Sequence, residues 1–486
     1  MKIVDVLPSK RSFFYGGSWV DPIDSLMVEN FNPSTGESLG LVPVASDHDV
    51  DKVVSAARKG FHEWRQVQPL ERARIVREMA RIVEKNSEEL ALLDSVDGGN
   101  PVTELKLDQK MSVQLIDFFA GLVTEMKGTT VPAGLNELNL SIREPVGVVV
   151  RINPFNHPFM FNAAKAAAPL VAGNSIIVKP PEQAPLSGLR LAELLEGLFP
   201  AGVFNVITGG TDTGRALSMH QDVAKVALIG SVETGKAVLR SAAETIKPVL
   251  LELGGKNALI AFPDSDPKAV AKATVTGMNF GWCGQSCGST SRSFIHKSIY
   301  KEFLKYLKEY ASKFEPGIPS DPNTTMGALI SKQHLDRVMG FIKSAKEQGA
   351  VLVCGGKQSG NPILKNGFFV EPTIFTEVTH EMRIANEEIF GPVHAVSIWD
   401  NEEKMLKEVN GLKYGLTCSI WTNKLQKAHQ FVRQVEAGYI WVNEVGRHFL
   451  GTPFGGQKQS SMGREECLEE LLSFTQEKHI HFNMTK

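Results

Sequence analysis

From Gly147 the chain settles into an alternation that leaves little freedom in how it folds. Short β-branched runs recur at "VGVVVRI", "NSIIVKP", "VFNVITGG", "VALIGS" and "PVLLELGG". Their starts lie roughly 20–30 residues apart, the length that one strand, a crossover helix and a return loop require. This spacing predicts a parallel, doubly wound sheet. The runs are continuously apolar, as expected for strands buried on both faces.

At 486 residues the chain is too long for one hydrophobic core, so further domains are expected. Upstream, "DHDVDKVVSAARKGF" and "LERARIVREMARIVEKN" carry apolar residues at helical spacing, the first behind an Asp cap, and "MSVQLIDFFAGLVTEMKG" predicts a third helix. "TTVPAGLNELNLSIREPVG" lacks that periodicity and reads as extended, exposed chain. A second α/β stretch runs from about Gly255 to Gly456, and the tail "LLSFTQEKHIHFNMTK" ends on a strand-like alternation suited to pairing with an edge elsewhere, on this chain or another subunit.

Partners are bounded by charge. The net charge of −2 and the even spread of lysine and arginine exclude a nucleic-acid stripe. No apolar run reaches the roughly 18 residues of a membrane span, and Asp5 and Pro8 interrupt the stretch a signal peptide needs, so a cytoplasmic protein is expected. The five cysteines, Cys283, Cys287, Cys354, Cys418 and Cys467, are odd in number and scattered, which argues for free thiols. Cys283 and Cys287 have no second Cys or His pair nearby to complete a tetrahedral site, so no metal is expected.

Ligands of a parallel sheet bind beyond the C-terminal strand ends. "VITGGTDTGRAL" and "ALIGSVETGKAV" each leave a strand through glycine or serine and enter a helix, where backbone N–H groups and the helix dipole suit a phosphate. Neither matches GxGxxG, so tight turns without a ligand remain the other reading. Lys179 and Glu182 in "SIIVKPPEQAP" fit either ribose hydroxyls or a surface ion pair. Glu252 closes an apolar strand, where burial would raise its pKa toward that of a general base unless it is simply solvated beyond the sheet. Cys287 sits in "GWCGQSCGSTS", where Gly284, Gly288, Ser286 and Ser289 keep the backbone approachable for an oxyanion beside a thiolate. A buried small hydrophobe is the alternative for Cys287 and the favoured reading for Cys283.

Taken in order, "PFNHP", "VKPPEQAP", "GSVETG", "LELGGKNA", "GQSC", "EEIFGPV" and "PFGGQKQSSMGRE" resemble the NAD(P)-dependent aldehyde dehydrogenase superfamily, over nearly the whole chain. The resemblance implies a nucleotide-binding domain (1–124 and 146–254), a catalytic domain (255–459) and a small β oligomerisation element (125–145 and 460–486), assembled as a homodimer or homotetramer. It implies Cys287 as nucleophile, Asn156 as oxyanion donor and Glu252 as the base that activates water on a thioester. By the same likeness Lys179 and Glu182 hold the adenosine ribose, and Gly210, Gly214, Gly230 and Ser231 line the adenine and pyrophosphate region. Glu388 and Phe390 place the nicotinamide end, with Pro154 and Phe155 on the same loop as Asn156.

A carboxylate at Glu182 would repel a 2′-phosphate, so NAD is expected over NADP, with NADP still open. The acyl pocket implied comprises Met111, His157, Met160, Phe161, Ala164, Ser286, Arg447, His448 and Phe454. Small residues at Ala164 and Gly281 suggest room for a medium-sized aromatic, aliphatic or semialdehyde substrate, with His157, Arg447 and His448 as candidates for a distal polar or anionic group. The chain departs from the common pattern at Trp282–Cys283 and at Ser460–Ser461, which bears on loop geometry. A coenzyme-A-acylating dehydrogenase and a cysteine hydrolase are the rival functions; relatives that use coenzyme A lack the glutamate found at Glu252.

Overall fold

All five β-branched runs form strands in the computed structural model, which describes residues 3–485. They are β1 (Val148–Ile152), β2 (Ser175–Lys179), β3 (Phe204–Val206), β4 (Val223–Ile229) and β5 (Val249–Glu252). The five are parallel in the order β3-β2-β1-β4-β5. Their register levels the functional edge: Ile152 pairs with Lys179 and Ile229 with Glu252. Antiparallel strands close both sides, Phe13–Tyr15 against β3 and Ser461–Met462 against β5.

The continuous apolar character of these strands has a direct cause. Val149, Ile176 and Val178 pack into one core with helices α2 (Pro69–Lys85), α3 (Ser87–Gly98), α4 (Val102–Gly121) and α5 (Pro158–Ala172), whereas Val148, Val150 and Ile177 face α1 (Asp47–Trp64), α7 (Thr211–Met219) and α8 (Val232–Ala243). Helix α6 (Leu186–Leu194) lies on the first of these faces. Both faces of the sheet are thus covered, the doubly wound α/β arrangement.

The helical region differs from expectation in three places. The cap of α1 is Ser46, which accepts from the Asp49 N–H while the Asp49 carboxylate accepts from the Ser46 N–H at 3.0 Å. Helix α3 was not expected as a separate element because nearly all of its last turns, including Asp94, Ser95 and Asp97, are buried, which erases amphipathic periodicity. Helix α4 starts at Val102 behind Pro101, well before Met111, and gives way to a 3-10 turn over Leu122–Glu125.

The second unit is a sheet of β6 (Ala258–Ala261), β7 (Arg292–His296), β8 (Val351–Cys354), β9 (Thr373–Thr376), β10 (Val393–Trp399), β11 (Thr417–Trp421) and β12 (Tyr439–Val442). Its order is β8-β9-β10-β7-β6-β11-β12, parallel except for β8. The extended segment Glu137–Pro145 pairs antiparallel with Thr475–Asn483 of the same chain along all nine residues, with Thr130–Val131 on its other side. Residues 460–474 do not join that small sheet. Ser461–Met462 extends the first sheet instead, and Leu471 and Phe474 enter its core, since the apolar side of the short helix Leu468–Ser473 has to be covered. Among the described residues no helix is long and apolar enough to cross a membrane.

Candidate active site

Strand β5 delivers Glu252 to the sheet edge, where it is 4% exposed. Its Oε1 accepts from Ser461 Oγ at 2.8 Å and its Oε2 is buried without a partner. The Ser460–Ser461 departure therefore bears directly on the carboxylate: Ser461 holds Glu252, and Ser460 Oγ donates to Gly254 O at 2.8 Å. Burial raises the Glu252 pKa well above the ordinary carboxylate value, and the neighbouring Glu465 charge adds to it.

The loop after β1 carries Pro154, Phe155 and Asn156 before Pro158 opens α5. Asn156 is 2% exposed, with its carbonyl accepting from Asn100 Nδ2 at 2.8 Å.

Cys287 follows a left-handed corner in which Asn279, Cys283 and Gly284 have φ of 56°, 53° and 66°. A Cβ at Gly284 would sit 2.3 Å from Gly391 O, so only glycine lets this loop pack on the Phe390–Gly391 turn. Gly288 is different: a Cβ there meets nothing nearer than Ser286 Oγ at 3.8 Å, so the space beside the thiol is open. Asn257 Nδ2 fixes the loop by donating to Cys287 O at 2.7 Å and Ser289 O at 2.9 Å. Cys287 keeps partial exposure to the cavity, yet its thiol is desolvated and pushed up to about 12, with Glu388 and Glu252 adding and the Gly288 and Cys287 N–H groups opposing. At rest the thiol is neutral. Cys283 is buried in the core of the second unit, its thiol pushed by burial to about 12.

Asn156, Glu252 and Cys287 line one cavity of about 520 Å³, together with Pro154, Phe155, Gly230, Ser231, Glu388 and Phe390. Glu388 Oε1 accepts from Gly255 N at 2.9 Å, and burial lifts this carboxyl to about 7. Phe390 has φ 60° and meets Phe155 edge-on at 5.7 Å, one ring from each unit. His334, Arg337, Lys413, Tyr414 and Gly254 also line the wall. Gly254 belongs to "LELGGKNA", whereas the other four come from segments without a motif of their own, so no local signal marks them.

Lys179, Glu182, Gly210 and Gly214 gather beyond the ends of β2 and β3, outside that cavity wall. A Cβ at Gly210 would meet the Glu182 carboxylate at 3.0–3.1 Å, and one at Gly214 would touch Lys179 at 3.8 Å. Lys179 Nζ makes a 3.3 Å hydrogen bond to Pro180 O; burial lowers its pKa to about 8 and Glu182 counters this. A lysine with donors to spare, a carboxylate and a glycine-bared helix start match the donor set for a ribose. Further along, Ser231 caps α8 and the first residues of that helix stand in the cavity wall, where backbone N–H groups suit a pyrophosphate. The residues present fit a dinucleotide.

The residues expected at the acyl end lie outside the wall of that cavity. His157 Nδ1 pairs with Asp108 Oδ2 at 2.7 Å, and its ring lies 5.3 Å from Trp282 and 5.5 Å from Phe161. Met111, Met160 and Ser286 are half-buried. Ala164 is 0% exposed within the first core, so its small size reflects helix packing there. Arg447 is exposed, its guanidinium 4.5 Å over Phe449. His448 is tied to Glu466 at 3.0 Å and packs between Tyr439 and Phe454.

Comparison with known proteins gives a consistent picture. The model of the aldehyde dehydrogenase family matches residues 19–480. The chain is 48% identical to aldehyde dehydrogenase tropH of Talaromyces stipitatus, over 99% of this chain and 95% of that protein. It superposes on an NAD+ complex of aldehyde dehydrogenase from Bacillus cereus with a TM-score of 0.95 at 36% identity, covering 100% of this chain and 99% of that one. Betaine aldehyde dehydrogenase from Staphylococcus aureus in complex with NAD+ gives a TM-score of 0.96 at 32% identity, covering 100% and 97%.

Proposed function

The chain belongs to the aldehyde dehydrogenase family and catalyses NAD-dependent oxidation of an aldehyde, and we propose that it does so with Cys287 as nucleophile, Asn156 as oxyanion donor and Glu252 as base, releasing the free acid. The observation that carries this reading is the convergence of these three groups, from three separate segments, on one cavity that also holds Glu388 and Phe390.

The steps follow from the residue types. Once deprotonated, the Cys287 sulfur adds to the aldehyde carbon, and the new oxyanion takes hydrogen bonds from Asn156 Nδ2 and the Cys287 N–H. NAD, when bound, supplies the hydride acceptor. Loss of hydride from the thiohemiacetal leaves a thioester on Cys287. Glu252, buried and raised in pKa, takes a proton from water, whose hydroxide adds to the acyl carbon; collapse expels the thiolate and frees the acid. Phe155 and Phe390 would flank the nicotinamide end, and Lys179 with Glu182 would hold the ribose. The Glu182 carboxylate supports NAD over NADP.

In this reading residues 1–124 and 146–254 serve nucleotide binding and 255–459 catalysis. The sheet of Glu137–Pro145 and Thr475–Asn483 carries exposed Leu138, Ile142 and Phe482, which supports a dimer or tetramer built on it. Glu104 and Asp108 beside His157 support an uncharged aldehyde over a semialdehyde at the acyl end. The five free cysteines support a reducing compartment such as the cytoplasm.

The test is reduction of NAD or NADP by the purified protein with aliphatic, aromatic and carboxylate-bearing aldehydes, with and without coenzyme A. Rapid reduction of NAD without coenzyme A is expected, and an absolute requirement for coenzyme A would replace hydrolysis with acyl transfer.

A further inference from the structure

The two oxyanion donors assigned above come from different structural units, Asn156 from the loop after β1 and the Cys287 N–H from the second unit. Their alignment depends on contacts between those units. Asn100, 1% exposed in the turn between α3 and α4, donates Nδ2 to Asn156 O at 2.8 Å. Nearby side chains hold the same loop, with Asp94 Oδ2 accepting from Phe159 N at 2.9 Å and Asp108 from His157.

The turn that carries Asn100 is itself wedged against the second unit. Gly99 has φ +84°, and its carbonyl accepts from Ala328 N at 2.9 Å. A Cβ at Gly99 would sit 2.9 Å from Pro33 and 3.0 Å from Ala328 O, and one at Gly327 would sit 1.9 Å from Gly99 O. Ala328 in turn lies beside the nucleophile loop. Gln285, two residues before Cys287 and 0% exposed, accepts from Ile330 N at 3.0 Å through Oε1 and directs Nε2 at Ala328 O, 3.5 Å away. One continuous set of contacts therefore runs from the Asn156 carbonyl through Asn100, Gly99 and Ala328 to Gln285.

We propose that Asn100 and Gln285 are positioning residues, which through the Gly99–Ala328 contact hold the Asn156 amide and the Cys287 N–H in register on one oxyanion. The proposal rests on the roles given to Asn156 and Cys287 above.

Two reactions of Cys287 in the full-length enzyme separate alignment from mere folding. Acylation by 4-nitrophenyl acetate forms a C–S bond through a tetrahedral oxyanion and expels nitrophenolate. Alkylation by iodoacetamide displaces iodide directly at a saturated carbon and makes no oxyanion. Asn100→Ala and the volume-keeping Asn100→Leu are expected to slow acylation by about 10- to 100-fold, the range for a misplacement near 1 Å, while alkylation stays at the wild-type rate. Gln285→Ala should give the same split. Asn156→Ala should slow acylation on the order of 10²-fold or more, and adding Asn100→Ala to it should cost nothing further, because Asn100 acts through Asn156. Acylation and alkylation falling together in both Asn100 variants, or full multiplicative loss in the double variant, overturns the clamp. Loss in Asn156→Ala with normal acylation in both Asn100 variants overturns the clamp alone. Normal acylation by Asn156→Ala overturns the oxyanion assignment and the clamp with it.

Discussion

Glu465→Gln removes one charge, and almost no volume, from a deeply buried ionic network. Arg151 in β1 and Lys165 in α5, 1% and 2% exposed, face Glu465 and Glu470, 2% and 0% exposed. Arg151 Nη1 meets Glu465 at 2.7 Å, Arg151 Nη2 meets Glu470 at 2.6 Å, and Lys165 Nζ meets Glu465 at 2.8 Å. A third carboxylate, Glu466, stands farther off, 4.0 Å from Lys165 Nζ. The substitution takes from both cations the carboxylate they share at closest range, in a region closed to water, a cost of about 3–5 kcal/mol. At roughly 2–4 °C per kcal/mol for a unit of about 150–250 residues, the thermal midpoint should fall by about 6–20 °C at a fixed scan rate.

Glu465→Gln combined with Lys165→Met removes one charge of each sign and should recover most of that loss. The sign with pH follows from the carboxyl itself. Burial alone would raise it, but Lys165 and Arg151 overcome that and hold it down to about 2. Its contribution is therefore complete above the ordinary glutamate value and is lost as pH falls toward about 2, so wild type and variant should converge in acid. A midpoint unchanged by Glu465→Gln, or a double variant no better than the single, would refute the charge-balance reasoning. Because Glu465 also raises Glu252, the acidic limb of the hydrolytic step should move to lower pH in the variant.

Glu252→Gln removes the group that takes the proton from water, so aldehyde turnover should fall by about 10²–10⁴ while iodoacetamide still alkylates Cys287; turnover near the wild-type rate would remove Glu252 from that role. Glu182→Ser should raise the kcat/KM ratio of NADP to NAD by on the order of tenfold or more, and an unchanged ratio would remove Glu182 from the ribose site. Arg447→Ala should leave kcat/KM for carboxylate-bearing aldehydes unchanged, since the guanidinium is exposed over Phe449; a large, selective loss would restore the anion clamp.

Much of the architecture was legible because burial writes itself into residue type. A strand covered on both faces has to be apolar throughout, which is why "SIIVK" and "VLLE" could be recognised before any contact was known. The extended character of residues 137–145 and of the tail was also visible, but not their nine-residue pairing with one another, because register lies between segments. Ala164 shows the opposite difficulty. A small side chain signals space, and sequence does not say whether a ligand or a neighbouring helix fills it. Asn100 and Asp94 lie in no motif, and Gln285, although inside "GQSC", shows its role only through a partner far along the chain, because a single buried amide or carboxyl carries no local signature.

The amino-acid sequence by itself determined the strand identities, the glycine corners and the supply of a thiol, an amide and a carboxylate at the right points of an α/β chain. Tertiary structure decided their working state. Burial pushes the Cys287 thiol up, Ser461 holds Glu252, Asp108 claims His157, and Arg447 stays on the surface. Those outcomes depend on desolvation and on through-space distances between residues remote in the chain, quantities that exist only once the chain has folded.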